Sequence, residues 1–406
     1  MVFFNRSYYP DFGATGQLLT ELCEDLVARF DYDVTVVAGM PLSAEHRIAP
    51  VPWYAPVRRE DRNGVRILRA WSTALPNRSF RGRMSNYLSY FSSASLAAFR
   101  LGRPDVIVAL TDPPIVVLPA IATARATGAK FVFLCQDVFP EVARLLDGFQ
   151  NRRVEAMLTR IGKYTVRRAD RIIALGDTMK RRLIETKGAD PAKIRVIHNW
   201  ADTQAVQPGS KDNPYAREHG LVDKFVVMHS GNVGMSQDVD GLLDVAERLR
   251  NLPDAVVAIV GEGSRKPFLQ EEAVRRGLTN VRFFPYTPKA RLAESFATAD
   301  VFIVSLRRGL AGFIVPSKLY GVLAAGRPFI AAVESDCEAA QIAREHDCGL
   351  VVEPGDRNQM ADAISRLYHD GVGRERLARN ARAAGLLYDR ARAVEAYRIV
   401  LEEALT

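Results

Sequence analysis

Short apolar runs, each long enough for one buried strand, alternate with helix-length stretches along the whole chain. In the first half they fall at 2–5, 34–38, 65–70, 106–110, 131–134, 172–175 and 194–197. In the second half they fall at 225–230, 256–260, 281–284, 301–305, 329–332 and 350–353. Most are near-continuous Val, Ile, Leu and Phe, so both faces of each strand are buried, as in parallel sheets covered by helices. Parallel neighbours need crossover connections, and the helical stretches between the runs supply them. The two series are separated by a polar, irregular segment at 202–223 containing Pro208-Gly209-Ser210-Lys211-Asp212-Asn213-Pro214. This predicts an α/β chain of two Rossmann-like doubly wound domains, 1–200 and 201–385, followed by an amphipathic helix within 386–406. Two such domains facing each other leave a cleft at the carboxyl ends of both sheets, where folds of this class place ligands.

With 406 residues, 48% hydrophobic and 25% charged, the composition is that of an ordinary globular enzyme. The longest apolar candidate, 106–124, is broken by Asp112, Pro113 and Pro114, so no membrane span is expected. The start, Met1-Val2-Phe3-Phe4-Asn5-Arg6, enters a strand without a signal-peptide layout. Four scattered cysteines without CxxC spacing predict reduced thiols in a cytoplasmic protein and no zinc site. The net charge of +8 is uneven: residues 1–200 hold 29 Lys and Arg against 19 Asp and Glu, whereas residues 201–406 hold 26 against 28. An anionic partner is therefore expected on the first half.

Candidate chemistry lies after the strand runs. Pro316-Ser317-Lys318 follows the 301–305 strand and opens a short helix that stops at Gly326-Arg327-Pro328. Ser317 is expected to cap that helix. Lys318 places a cation at the end where the dipole is already positive, which makes sense if an anion lies between them. Ser230-Gly231-Asn232-Val233-Gly234 and Gly261-Glu262-Gly263-Ser264-Arg265-Lys266 are glycine loops after two other strands, and the second adds two cations. Together these sites predict a phosphate-bearing ligand. In the first half, Tyr9-Pro10-Asp11-Phe12-Gly13-Ala14-Thr15-Gly16 is a glycine-bearing turn into a helix but not a dinucleotide fingerprint. Asp137, after the 131–134 strand, is either a helix cap or a carboxylate placed to take a proton or hold a hydroxyl. Glu141 suits the first turn of the helix that follows Pro140. Asp238-Val239-Asp240 superficially resembles a metal-binding DxD but reads better as a capped helix start, and no metal is expected.

Basic residues cluster at Arg78, Arg81 and Arg83, leading into a helix with Met84, Tyr87, Leu88, Phe91, Ala94 and Ala98 on its apolar positions. Arg153, Arg160, Lys163 and Arg167 fall on a second helical stripe. These features read as core packing plus a solvated face, or as a peripheral surface for anionic lipid, with Tyr87 and Phe91 dipping in. No nucleic-acid module is present, so a nucleic-acid partner is not expected.

Six segments taken together resemble family 4 glycosyltransferases of the GT-B fold. They are 8–17, Gln136-Asp137 with Pro140-Glu141, 197–202, Ser230-Gly231-Asn232, Gly261-Glu262-Gly263 and 315–328. The chain is most similar to bacterial exopolysaccharide and O-antigen enzymes such as colanic acid and L-fucosamine transferases. The resemblance implies that the second domain binds a nucleotide-sugar, that the first binds the acceptor, and that the last helix crosses back to the first domain. It implies donor contacts at Gly13, Gly16, Asn232, Gly234, Gly261, Gly263, Arg265, Tyr286, Gly312, Phe313, Ile314, Ser317 and Lys318, with Asp137 and Lys318 catalytic. The chain departs from the family pattern at Phe313 and Gly321, where two glutamates are usual, at Asn232 and Gln237, where Arg and Lys are usual, and at Gln136, where His is common. The expected activity is retaining, metal-independent transfer of an N-acetylated or deoxy hexose from a UDP-linked donor. The expected acceptor is a polyprenyl-diphosphate-linked saccharide at the inner face of the bacterial cytoplasmic membrane. A nucleotide-sugar 2-epimerase of the same fold is the alternative.

Overall fold

The computed structural model describes residues 1–11, 13–41, 48–75, 80–147 and 151–406. Arg78, one of the expected acceptor or membrane residues, lies outside them. The chain divides into two units: 1–198 with 312–314 and 393–406, and 199–311 with 315–392.

The first unit is built on an eight-stranded sheet in the order β3-β4-β2-β1-β5-β6-β7-β8. The strands are β1 (Val2–Phe4), β2 (Thr35–Ala38), β3 (Val57–Arg62), β4 (Val65–Ala70), β5 (Val106–Ala109), β6 (Lys130–Leu134), β7 (Arg171–Ala174) and β8 (Ile194–Val196). All neighbours pair in parallel except β3 with β4. The expected strands are present to within a residue or two at each end. β3 was not expected, because Val57-Arg58-Arg59-Glu60-Asp61-Arg62 lacks an apolar run. It forms because Asn63 and Gly64, at φ 46° and 80°, make a tight turn that folds it back on β4 as a charged edge strand. The Asn-Gly pair was the available signal. The chain end joins this unit: Tyr32 Oη donates to Glu402 at 2.6 Å, and Arg195 pairs with Glu403 at 2.9 Å.

The second unit has six parallel strands in the order β11-β10-β9-β12-β13-β14. They are β9 (Phe225–Ser230), β10 (Ala255–Val260), β11 (Val281–Phe284), β12 (Val301–Ser305), β13 (Phe329–Ala332) and β14 (Gly349–Val352). Val227, Val257, Ile259, Val301, Ile303 and Ile330 fill its core with Leu242, Leu243 and Ile364 from the helices. The order reverses between β9 and β12, which opens a crevice beyond their carboxyl ends. In the first unit the corresponding reversal lies between β1 and β5.

Candidate active site

In the second unit, the crevice between β9 and β12 is floored by two interlocked glycine loops. The Gly231 N–H donates to the Val260 carbonyl at 2.9 Å, Val233 N–H to Glu262 at 2.9 Å, and Arg265 N–H to Val233 at 3.1 Å. A Cβ on Gly261 would lie 1.9 Å from the Gly231 carbonyl oxygen, and one on Gly263 would lie 2.2 Å from that of Val233. These glycines are therefore required by backbone packing, whatever they contact in a ligand. The two cations of the second loop are engaged within the protein. Arg265 makes a two-pronged pair with Asp240 at 2.5 and 3.1 Å. Lys266 ties the Gly261 and Phe284 carbonyls together at 2.8 and 2.9 Å. Asp238 is likewise held by Arg357 at 2.7 and 3.0 Å, so both carboxylates of the DxD-like tripeptide are committed to arginines.

Lys318 is held differently. The residue is partly exposed, but its ammonium is turned inward under the end of β9. Nζ lies 3.3 Å from Nδ1 and 3.2 Å from Nε2 of His229, and it donates to Gln237 Oε1. Its partners in the described structure are neutral, and burial pulls its pKa down to about 7. His229 is fully buried, and burial first, then the nearby ammonium, keep it well below the usual histidine range. Gln237 is itself fixed, because the Ser305 hydroxyl donates to its backbone carbonyl.

The helix that Lys318 begins runs Lys318–Ala324. The expected Ser317 cap is not formed: Ser317 has helical φ and ψ of −58° and −26°, and its side chain accepts no capping bond. The first turn closes on backbone instead, Leu319 N–H to Pro316 and Tyr320 N–H to Ser317 at 3.2 and 3.4 Å. Gly321 faces Phe296, whose Cε2 would lie 2.8 Å from a Cβ, so a glutamate there would require Phe296 to move. Gly312, at φ 75°, and Phe313 and Ile314 group with the first unit. The Phe313 carbonyl accepts from Val138 N–H at 2.9 Å, and the Arg182 guanidinium lies 5.1 Å from its ring centre. Tyr286 follows β11 and is partly buried. Gly234 sits against the Asn232 side chain, 2.7 Å from Nδ2 to a built Cβ.

In the first unit, Asp137 stands beyond β6 and is not the cap of the Glu141–Asp147 helix, whose early amides turn back onto Val138 and Pro140. Its N–H donates to Thr111 Oγ1 at 3.2 Å, tying the loops after β5 and β6. Burial, with Asp112 second, raises its carboxyl to about 7. Asp112 is gripped by Arg6 at 2.9 and 3.2 Å, an ion pair that spans the β1–β5 reversal. The Tyr87 phenol, pushed up to about 12 chiefly by burial, is influenced by Asp112, Arg6, Arg83 and Asp137. Glu141 pairs with the buried Lys187 at 2.7 Å, beside a cavity of about 30 Å³ lined by Thr111, Asp137 and Lys187. Gly16 lies inside the Ala14–Phe30 helix against Ser7 and Asp11, and Gly13 is exposed at its start.

The Phe80–Ala98 helix turns other residues outward than expected. Tyr87 and Phe91 are only partly exposed, whereas Arg81, Leu88 and Leu96 face solvent. The buried face carries Asn86, Tyr90, Ser93, Ala94 and Ala97. Polar bonds override the apolar periodicity here: Asn86 clasps the Leu75 backbone, and Tyr90 Oη donates to the Val37 carbonyl at 2.8 Å. Arg83 is partly buried.

Sequence reasoning missed His229, Arg6 and Asp112 as members of these clusters. His229 had one available signal: it is the only ionisable residue in the Phe225–Ser230 strand. For Arg6 and Asp112 the signal was their position just past the ends of strands.

Comparison with known proteins is consistent along the chain. Residues 13–200 match the glycosyl transferase 4-like domain, and residues 213–384 match the glycosyl transferases group 1 family. A probable glycosyltransferase of Pseudomonas aeruginosa, WbjE, is 28% identical over 71% of this chain and 72% of its own. The putative colanic acid biosynthesis glycosyl transferase WcaI of Escherichia coli is 25% identical over 92% of this chain and 94% of its own. The fold is that of Anabaena HepE, solved with UDP and glucose, at a TM-score of 0.74 and 16% identity over 99% of this chain and 98% of that one. With both units matched in order, the chain belongs to the family 4 glycosyltransferases and has the GT-B fold.

Proposed function

We propose that this glycosyltransferase moves an N-acetylated or deoxy hexose from a UDP-linked donor to a polyprenyl-diphosphate-linked saccharide in bacterial surface-polysaccharide synthesis. The observation that carries the donor assignment is Lys318, an inward-turned ammonium with neutral partners at the strand-order reversal of the second unit. A buried lysine with only neutral partners lacks a counter-ion for its charged form, and a diphosphate supplies one. The relatives support the reaction: WcaI is named for colanic acid biosynthesis, and HepE was solved with UDP and glucose. A nucleotide-sugar epimerase draws no support from them.

In the proposed reaction the bond between the anomeric carbon and the diphosphate breaks, and Lys318 stabilises the departing charge. The acceptor oxygen bonds to the anomeric carbon on the same face, and its proton passes to the leaving phosphate while Asp137 orients the hydroxyl. Neutralisation by Lys318 makes the step metal-independent, and the arginine-paired Asp238 and Asp240 are poorly disposed to bind a metal. Lipid-surface association is supported by the exposed Arg81, Leu88 and Leu96 on one helix and by Arg153, Arg160, Lys163 and Arg167 on another. No helix among the described residues is long and apolar enough to cross a membrane.

A thermal-shift screen of UDP, GDP, ADP and their sugars identifies the nucleotide. Lys318→Ala is expected to lower kcat by about 100-fold or more, with turnover unchanged by EDTA in the wild type. Near-normal kcat in that variant removes Lys318 from the mechanism.

A further inference from the structure

Lys318 is held by an arrangement that the donor assignment does not by itself explain. His229 Nε2 is 3.4 Å from the Asn232 carbonyl oxygen, a group that can only accept. We assign the ring proton to Nε2 on that basis, which leaves Nδ1 as the ring's acceptor; the Lys318 nitrogen sits across the ring edge, 3.3 Å from Nδ1 and 3.2 Å from Nε2. Gln237 Oε1 supplies a second neutral acceptor. Gly231 borders the lysine stem, whose Cε lies 3.7 Å from where a Cβ would be, an ordinary contact distance. Resting on the donor reading above, we propose that His229 is a positioning residue which, with Gln237, stores Lys318 in a charge-neutral nest, so that binding of a nucleoside diphosphate is coupled to uptake of one proton by the lysine.

The surrounding groups leave this coupling to Lys318. From β9, His229 faces it and is kept neutral by burial. On the following loop, Asp238 and Asp240 are held by Arg357 and Arg265. Beyond β12, Arg308 pairs with Glu353, and beyond β13, Glu334 accepts from the Gly309 amide. On the lysine's own helix, Tyr320 is buried near Glu338. The downward shift of Lys318 comes from burial alone. A diphosphate oxygen brings the missing negative charge, and the amine takes its proton from solvent; no covalent bond changes.

The test is calorimetric titration of the full chain with UDP in buffers of different ionisation enthalpy. Near pH 8, where the terminal phosphate of UDP is fully ionised, uptake approaching one proton per UDP is expected. Affinity should fall about tenfold per pH unit above pH 8, following proton linkage. His229→Phe keeps the ring but removes the acceptor, and should weaken UDP binding and move half-maximal uptake to lower pH. Gln237→Glu gives the lysine an anion in the free protein, and should abolish uptake and weaken UDP binding about tenfold or more. Tight UDP binding without proton uptake in the wild type overturns this coupling while leaving the donor assignment intact. Undiminished uptake in Gln237→Glu also overturns it. Failure to bind UDP, GDP or ADP at all overturns both.

Discussion

At the scale of single residues, Asp137 and Lys318 are each brought to about 7, from opposite directions and chiefly for the same reason, desolvation of the charged form. If Asp137 acts ionised and Lys318 acts protonated, kcat/KM, which reports the free enzyme, is narrowly bell-shaped around pH 7. The kcat profile, which reports the loaded enzyme, should lose its alkaline limb because bound diphosphate retains the lysine's proton. Asp137→Asn should flatten the acid limb of any residual activity, and an unchanged limb removes Asp137 from that role. The stability consequences have opposite signs. The Asp137 contribution is present below the ordinary carboxylate range and is lost as pH rises through about 7. The Lys318 contribution is present above its ordinary value of 10.5 and is lost as pH falls through about 7. Lys318→Met should therefore raise the melting temperature of the ligand-free protein at pH 6, with the gain shrinking towards pH 10.

At the scale of elements, buried parallel strands were legible because they lie in continuous apolar runs, and β9, β11, β12 and β13 coincide with their expected limits. The charged edge strand β3 was not, because one face meets solvent and its pairing comes from the Asn63–Gly64 turn. Gly64→Ala tests that turn: a methyl group would meet Val27 Cγ1 at 2.6 Å at a positive φ. A loss of about 1–3 kcal/mol in urea denaturation is expected. The apolar pattern of the Phe80–Ala98 helix placed Ala94 inside but missed Leu88, which is left outside, since Asn86 and Tyr90 bury by satisfying backbone groups. Gly261→Ala sets a methyl against the Gly231 carbonyl, and should remove the thermal response to UDP by separating the two glycine loops.

At the scale of the whole molecule, the second unit has its own sheet and core, so a donor that binds there should protect it selectively. Hydrogen exchange with UDP is expected to slow most at 229–237 and 305–320, and protection spread evenly over both units argues against this site. The alternation of buried strands and helices, the split into two sheets and the residues of the glycine loops and Pro316-Ser317-Lys318 could be read along the chain, because each depends on local spacing and backbone freedom. Strand order, the Arg6–Asp112 pair and the nest of His229 and Gln237 around Lys318 could not. They join residues 106, 89 and 81 positions apart, and the protonation of Lys318 depends on which neutral groups the fold places around it and how much water it excludes.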